Sequence, residues 1–127
     1  MSEYIIVLRL AEQYLIRAEA RAQQGNLTGA IEDLDIIRAR AGLPHTAATT
    51  REDLLHAIAH ERQVELFTEW GHRWFDMKRT NTIDIIMPAV CEQKGGTWDS
   101  RWSLYPIPLK EVQRAPNIKQ NPGYESN

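Results

Sequence analysis

Three groups of side chains in this 127-residue sequence have the types and spacing to do chemistry. The first is acidic. Glu61, Glu65 and Glu69 recur every four residues, with Arg62 beside them. On one helix face such like charges repel by about 0.2–0.5 kcal/mol per pair, so the row calls for cationic partners. Arg73 and Lys78 are near in sequence, and Arg9 and Arg17 can approach from an earlier helix. An ion-pair network holding helices in register is the expected role, and such networks give specificity more reliably than stability. The second group resembles metal ligands. His56 and His60 stand at i, i+4 with Glu61 following, and Glu69 and His72 have a Glu-x-x-His spacing. Di-iron bundles need two such copies and two further carboxylates on facing helices. A zinc ion needs at least one more protein ligand than a His pair supplies. Only one copy occurs, with Gly71 inside it, so neither a metal nor another cofactor is expected. The third group is aromatic. Trp98-Asp99-Ser100-Arg101-Trp102 sets two indoles beside polar groups able to bind hydroxyls. Indole faces stack on the apolar faces of sugars, which makes Trp98, Trp102 and Arg101 the expected ligand-contact residues. The competing expectation is core packing with each indole N–H paired, and that is the expectation for Trp74.

Nothing pairs a nucleophile with a base. The single cysteine, Cys91, can form no intrachain disulfide and has no recognisable activating context. Glycine-rich phosphate loops, Gly-x-Ser-x-Gly elbows and zinc-type cysteine sets do not occur. No enzyme activity is expected.

The elements that must position these groups are mainly helical. Residues 4–8 are apolar and β-branched, a short extended entry. Leu8, Ala11, Leu15, Ala18 and Ala22 then recur at helical spacing, and Gly25 suits a left-handed stop. Asn26 and Thr28 are alternative caps for a second helix carrying Ala30, Leu34, Ile37 and Ala41, closed by Gly42-Leu43-Pro44. Two helices joined by so short a turn lie antiparallel, the shape of one tetratricopeptide-like hairpin. Such a unit cannot bury its apolar face alone. Thr49 with Glu52 fits a capping box for a long third helix from about Glu52 to Trp70, with Leu55, Ile58, Ala59, Leu66 and Trp70 as its apolar positions. Gly71 breaks or bends it, and Trp74, Phe75 and Met77 fall on a short helical segment ending near Thr80. A helix over Ile83 to Val90 is expected to break at Pro88. Beyond Lys94-Gly95-Gly96, Pro106, Pro108, Pro116 and Pro122 predict an irregular tail that docks onto something.

Composition bounds the rest. The chain fits one domain, with 43% apolar and 25% charged residues. A net charge of −2, with both signs interleaved, leaves no basic footprint for nucleic acid. No apolar run approaches the roughly 20 residues of a membrane span, and no secretory leader is recognised near Met1.

Four spaced stretches resemble the SusD/RagB family of outer-membrane nutrient-binding proteins. They are Arg9-Leu10-Ala11-Glu12 through Ala18-Glu19-Ala20; Ala30-Ile31 through Gly42-Leu43-Pro44; Glu61-Arg62 through Glu65-Leu66, Glu69, Gly71 and Arg73-Trp74-Phe75-Asp76; and Leu104-Tyr105-Pro106-Ile107-Pro108 with Gln120-Asn121-Pro122-Gly123-Tyr124. They run in order along nearly the whole chain. The resemblance implies a surface-exposed lipoprotein of Bacteroidetes-type bacteria that binds glycans or other nutrients, does not cleave them, and partners a SusC-like TonB-dependent transporter. It also implies that this chain is the C-terminal, mainly scaffolding part of a longer protein. Cys91 cannot be the lipid anchor. Glu61, Glu65, Arg73, Trp74, Asp76 and Pro106 carry over as structural residues only. A fragment of this kind is expected to self-associate through apolar surface left uncovered. The rival reading is a tetratricopeptide-like scaffold for protein–protein interaction.

Overall fold

The computed structural model describes residues 7–124. Its elements are α1 (Leu10–Gln23), α2 (Leu27–Arg40), α3 (Arg51–Glu65), α4 (His72–Arg79), α5 (Ile83–Gln93), a 3₁₀ turn (Ser100–Ser103) and α6 (Leu109–Arg114). Among the described residues there is no strand, and no helix is long and apolar enough to cross a membrane. The mainly α expectation holds. The chain divides into two compact units, Met1–Asp76 and Met77–Asn127.

In the first unit α1 packs on both α2 and α3. Ala11, Leu15, Ala18 and Ala22 of α1 meet Ala30, Leu34 and Ile37 of α2 and Leu54 and Ile58 of α3 in one core. The small alanines let the backbones approach, and each fully buried leucine contributes about 1.5–3 kcal/mol. The turn between α1 and α2 needs a left-handed residue, and Gly25 supplies it at φ +83°. Asn26 then caps α2, its side chain accepting from the Gly29 N–H at 3.1 Å.

Several expectations shift. Tyr4, Ile5 and Ile6 of the supposed extended entry lie outside the described residues. Leu8 precedes the helix and is 78% exposed, so it is not on the core stripe. The cap of α3 is Thr50, accepting from the Asp53 N–H at 3.1 Å, and not Thr49 with Glu52. The third helix ends at Glu65, five residues short of Trp70, with Thr68, Trp70 and Gly71 all at positive φ. Arg9 helps stop it: its Nη1 donates to the Glu65 carbonyl at 2.8 Å, satisfying a helix-end acceptor. The buried face of α3 is Leu54, Ile58, Glu61 and Arg62, so Ala59 is exposed and Trp70 lies in the turn at 57% exposure.

In the second unit α5 runs through Pro88 to Gln93 instead of breaking there. Proline removes one donor to the preceding turn but does not compel a break when the flanking turns hold. Gly95, at φ +75°, ends the helix, and the Gly96 N–H donates to the Cys91 carbonyl at 2.9 Å. The tail is irregular as expected, but it also forms the 3₁₀ turn and α6, begun by Pro108.

Candidate functional site

In the first unit the acidic row becomes an ion-pair frame. Glu61 is buried and accepts from Arg38 at 3.0 Å. Glu65 receives Arg9 at 2.6 Å and Arg40 at 2.5 Å. Glu69 also receives Arg9, at 2.5 Å. Because α3 ends at Glu65, Glu69 reaches this frame from the turn and not from a continuous helical row. Arg9 is the one cation foreseen for the row that serves it. Arg17 instead grips Asp33, at 2.9 and 2.7 Å, alongside Arg21 at 2.8 Å. The carboxylate beside it holds the Arg17 guanidinium above its usual range. Arg62 is buried and donates from Nε to Asp76 at 2.8 Å, while its Nη1 has no acceptor. This frame ties α1, α2, α3 and the start of α4 by charge-assisted bonds.

Of the other residues carried over, Arg73 is exposed, Trp74 is half-buried on α4, and Pro106 is exposed in the tail. His56 and His60 are exposed, whereas Glu61 turns inward, so the three do not converge. His72 faces Glu12, with Nδ1 3.7 Å from its carboxylate, and not a metal-like set with Glu69. Among the described residues no group of three or more His, Cys, Asp or Glu side chains gathers around a point.

The second unit holds the aromatic cluster. Trp98 and Trp102 pack edge to face, with centroids 5.9 Å apart and planes at 85°. Such an arrangement matches the quadrupoles of the two rings. The Trp98 N–H donates to Asp84 of α5 at 2.8 Å, which sets the angle of that ring. This bond, then one from Ser100, holds the Asp84 carboxyl below the usual carboxylate range. Arg101 wraps Asp99, with Nε at 2.9 and 3.0 Å and Nη2 at 2.6 Å, and reaches the Gly123 carbonyl with Nη1 at 3.2 Å. Its side-chain bond to Asp99 raises the guanidinium and lowers the carboxyl. Trp102 stays 44% exposed. Of the three expected ligand-contact residues, Trp98 and Trp102 thus meet, while Arg101 on the same loop turns to Asp99 and Gly123.

The clasp on this loop is the proline-flanked tail. Pro106 and Pro108 have no N–H, so Ile107 carries the only backbone donor of that tripeptide. The Gln120 carboxamide meets both its groups, accepting from the Ile107 N–H at 2.7 Å and donating to its carbonyl at 2.8 Å. Asn121 donates to the Tyr105 carbonyl at 2.6 Å, and the Tyr124 hydroxyl to the Arg101 carbonyl at 3.2 Å. A Cβ at Gly123, at φ +83°, would lie 2.1 Å from Arg101 Cδ, so a substitution there would strain the backbone and push the Arg101 side chain aside.

Sequence reasoning missed Asp33 and Asp84, and it marked Gln120 and Gly123 only as part of the family-like ending, without their contacts. Asp33 had a visible signal, since it falls on the apolar face of α2 between Ala30 and Ile37. Nothing local marked Asp84, because its partner is 14 residues away.

Comparison with known proteins gives consistent likenesses. The sequence profile of the SusD family matches residues 1–124. A SusD-like protein of Formosa agariphila is 33% identical over 94% of this chain and 24% of its own length. The starch-binding protein SusD of Bacteroides thetaiotaomicron is 32% identical over 95% of this chain and 22% of its own length. Among solved structures, a SusD-like protein of Bacteroides fragilis superposes with a TM-score of 0.78 at 32% identity, covering 94% of this chain and 26% of that one. A SusD superfamily protein of Parabacteroides distasonis gives 0.69 at 30% identity, covering 93% and 27%. The chain therefore spans about a quarter of the length of these relatives.

Proposed function

Because this chain belongs to the SusD family, we propose that it is part of a non-catalytic glycan-binding component of an outer-membrane nutrient-uptake system, serving chiefly as its helical scaffold. The observation that carries this reading is the 32% identity, over 95% of the chain, to a protein named for binding starch. The ion-pair frame of the first unit supports a bracing role, since its charges are spent on one another. In the second unit Trp98, Trp102 and Arg101 are the proposed saccharide contacts, Trp102 through its exposed indole. The partner is a SusC-like TonB-dependent transporter, and the setting is the cell surface, with a longer protein anchored by lipid.

Affinity electrophoresis and isothermal titration against a glycan panel test the reading, on this chain and on a full-length protein containing it. Saccharide binding by the longer protein is expected. Failure to bind any glycan, with tight binding of peptides, would replace the ligand class. A second reading, a protein-interaction scaffold, draws on the α1–α2 hairpin and on Ile16 and Ile36, each 46% exposed on it. Recovery of a helical protein partner with no glycan contact would favour it.

A further inference from the structure

We propose that the turn between α3 and α4 is a two-state element: Arg9 latches it in a strained left-handed form, and release of Arg9 lets α3 run on to Trp70.

One acceptor decides between the states. In an α-helix each N–H donates to the carbonyl four residues back. Leu66 still follows that pattern, donating to the Arg62 carbonyl at 3.0 Å. Were the helix to continue, the Glu69 N–H would take the Glu65 carbonyl. Arg9 Nη1 holds that carbonyl instead, at 2.8 Å, and the Glu69 N–H turns to the Leu66 carbonyl at 3.1 Å. The same guanidinium reaches the Glu65 carboxylate with Nη2 at 2.6 Å and the Glu69 carboxylate with Nη1 at 2.5 Å. Arg9 occupies the N-cap position of α1 without capping it, so its side chain serves the end of α3 rather than its own helix.

The latched form is strained. Thr68 has φ +62° and Trp70 φ +43°, ahead of Gly71 at +71°. Glycine enters the left-handed region freely, but a β-branched or bulky residue there is an outlier. Such strain persists only where surrounding contacts over-determine it, and the Arg9 bonds are contacts of that kind. The local sequence favours the other form. Leu54, Ile58, Arg62, Leu66 and Trp70 recur every four residues, the period of an unbroken helix. Local preference and tertiary contact therefore disagree at this turn, as they do at strained or functional sites.

The two forms differ in what they show. In the latched form Phe67 is 71% and Trp70 57% exposed. In the extended form Trp70 follows Leu66 on the stripe that Leu54 and Ile58 bury, and Glu69 parts from Arg9. The input is the chain entering α1, since whatever draws Arg9 away frees the Glu65 carbonyl. The device couples that entry to the aromatic surface of the turn, and it stands independently of the glycan-binding reading.

The test asks whether position 68 prefers glycine or alanine, measured by urea unfolding of the whole chain. A left-handed residue favours glycine, whereas a helical one favours alanine. With Arg9 in place, Thr68→Gly should be more stable than Thr68→Ala, by about two- to fivefold in the folding constant. In an Arg9→Met background, which keeps an apolar stem and removes the donors, the order should reverse. Three-bond couplings at Thr68 and Trp70 in Arg9→Met alone should then report negative φ. Arg9→Lys keeps the charge without the fork and should narrow the gap between glycine and alanine, which decides the matter should Arg9→Met fail to fold. Alanine matching or exceeding glycine with Arg9 in place would overturn the strained form. An undiminished glycine preference in the Arg9 variants, with Thr68 still at positive φ, would overturn the latch.

Discussion

The pair formed by Arg62 and Asp76 offers the sharpest test of the frame. Asp76→Ala removes the carboxylate that accepts from Arg62 Nε at 2.8 Å. The guanidinium left behind is 5% exposed, and its Nη1 already lacks an acceptor. Stranding one partner of a buried pair costs about 3–5 kcal/mol. Asp76 itself is 21% exposed, which places the expected loss near the lower end, about 3 kcal/mol. That is a large fraction of the roughly 5–15 kcal/mol that holds a domain together. It corresponds to a fall in melting temperature of about 10–15 °C. Arg62→Met should cost much less, about 1 kcal/mol. It keeps the aliphatic stem, removes the charge and the orphaned donor together, and leaves a carboxylate that reaches water. The double variant should then resemble Arg62→Met alone, giving a coupling energy of about 2 kcal/mol or more in a double-mutant cycle. Urea unfolding followed by far-ultraviolet circular dichroism measures all four proteins, with unchanged m-values as the control. Arg62→Met proving as damaging as Asp76→Ala, or the two losses simply adding, would refute the reasoning.

Further outcomes follow from other contacts. The depressed Asp84 carboxyl contributes stability that is present above its unfolded pKa and lost as pH falls through its lower folded value, so the Trp98 indole N–H resonance should hold its position into the ordinary aspartate range and move only below it. Asp84→Asn should flatten that titration. Gln120→Ala should leave the Ile107 N–H and carbonyl unanswered and cost about 1–3 kcal/mol, read as earlier thermal unfolding and faster hydrogen exchange at Ile107. Pro88→Ala restores a donor inside α5 and should raise helicity and stability by about 1 kcal/mol or more, seen by circular dichroism. Phe67 and Phe75 are 71% and 61% exposed, and self-association through such apolar surface should appear in analytical ultracentrifugation; a monomer that melts sharply would contradict it.

What the sequence determined by itself was local and periodic. The stripe of Ala11, Leu15, Ala18 and Ala22, the left-handed stop at Gly25 and a cap at Asn26 or Thr28 were legible because helices are read within three or four residues, and a core-facing helix must repeat at that interval. The ordered motifs were legible for a different reason, since family likeness needs no geometry at all. Tertiary structure decided where α3 stops and which face it buries. Arg9, 56 residues away, takes the Glu65 carbonyl, and that bond is invisible in any short window. The same holds for the partners of the acidic row. The row announced that cations were needed, but only packing chose Arg38 and Arg40 over Arg73 and Lys78. The indole pair was visible as spacing, whereas Asp84 was not, and the contacts of Gln120 and Gly123 were not, although both stood in the family-like ending. Their roles arise from chain segments brought together by folding, and charge or hydrogen-bond complementarity between distant segments leaves no period in the sequence.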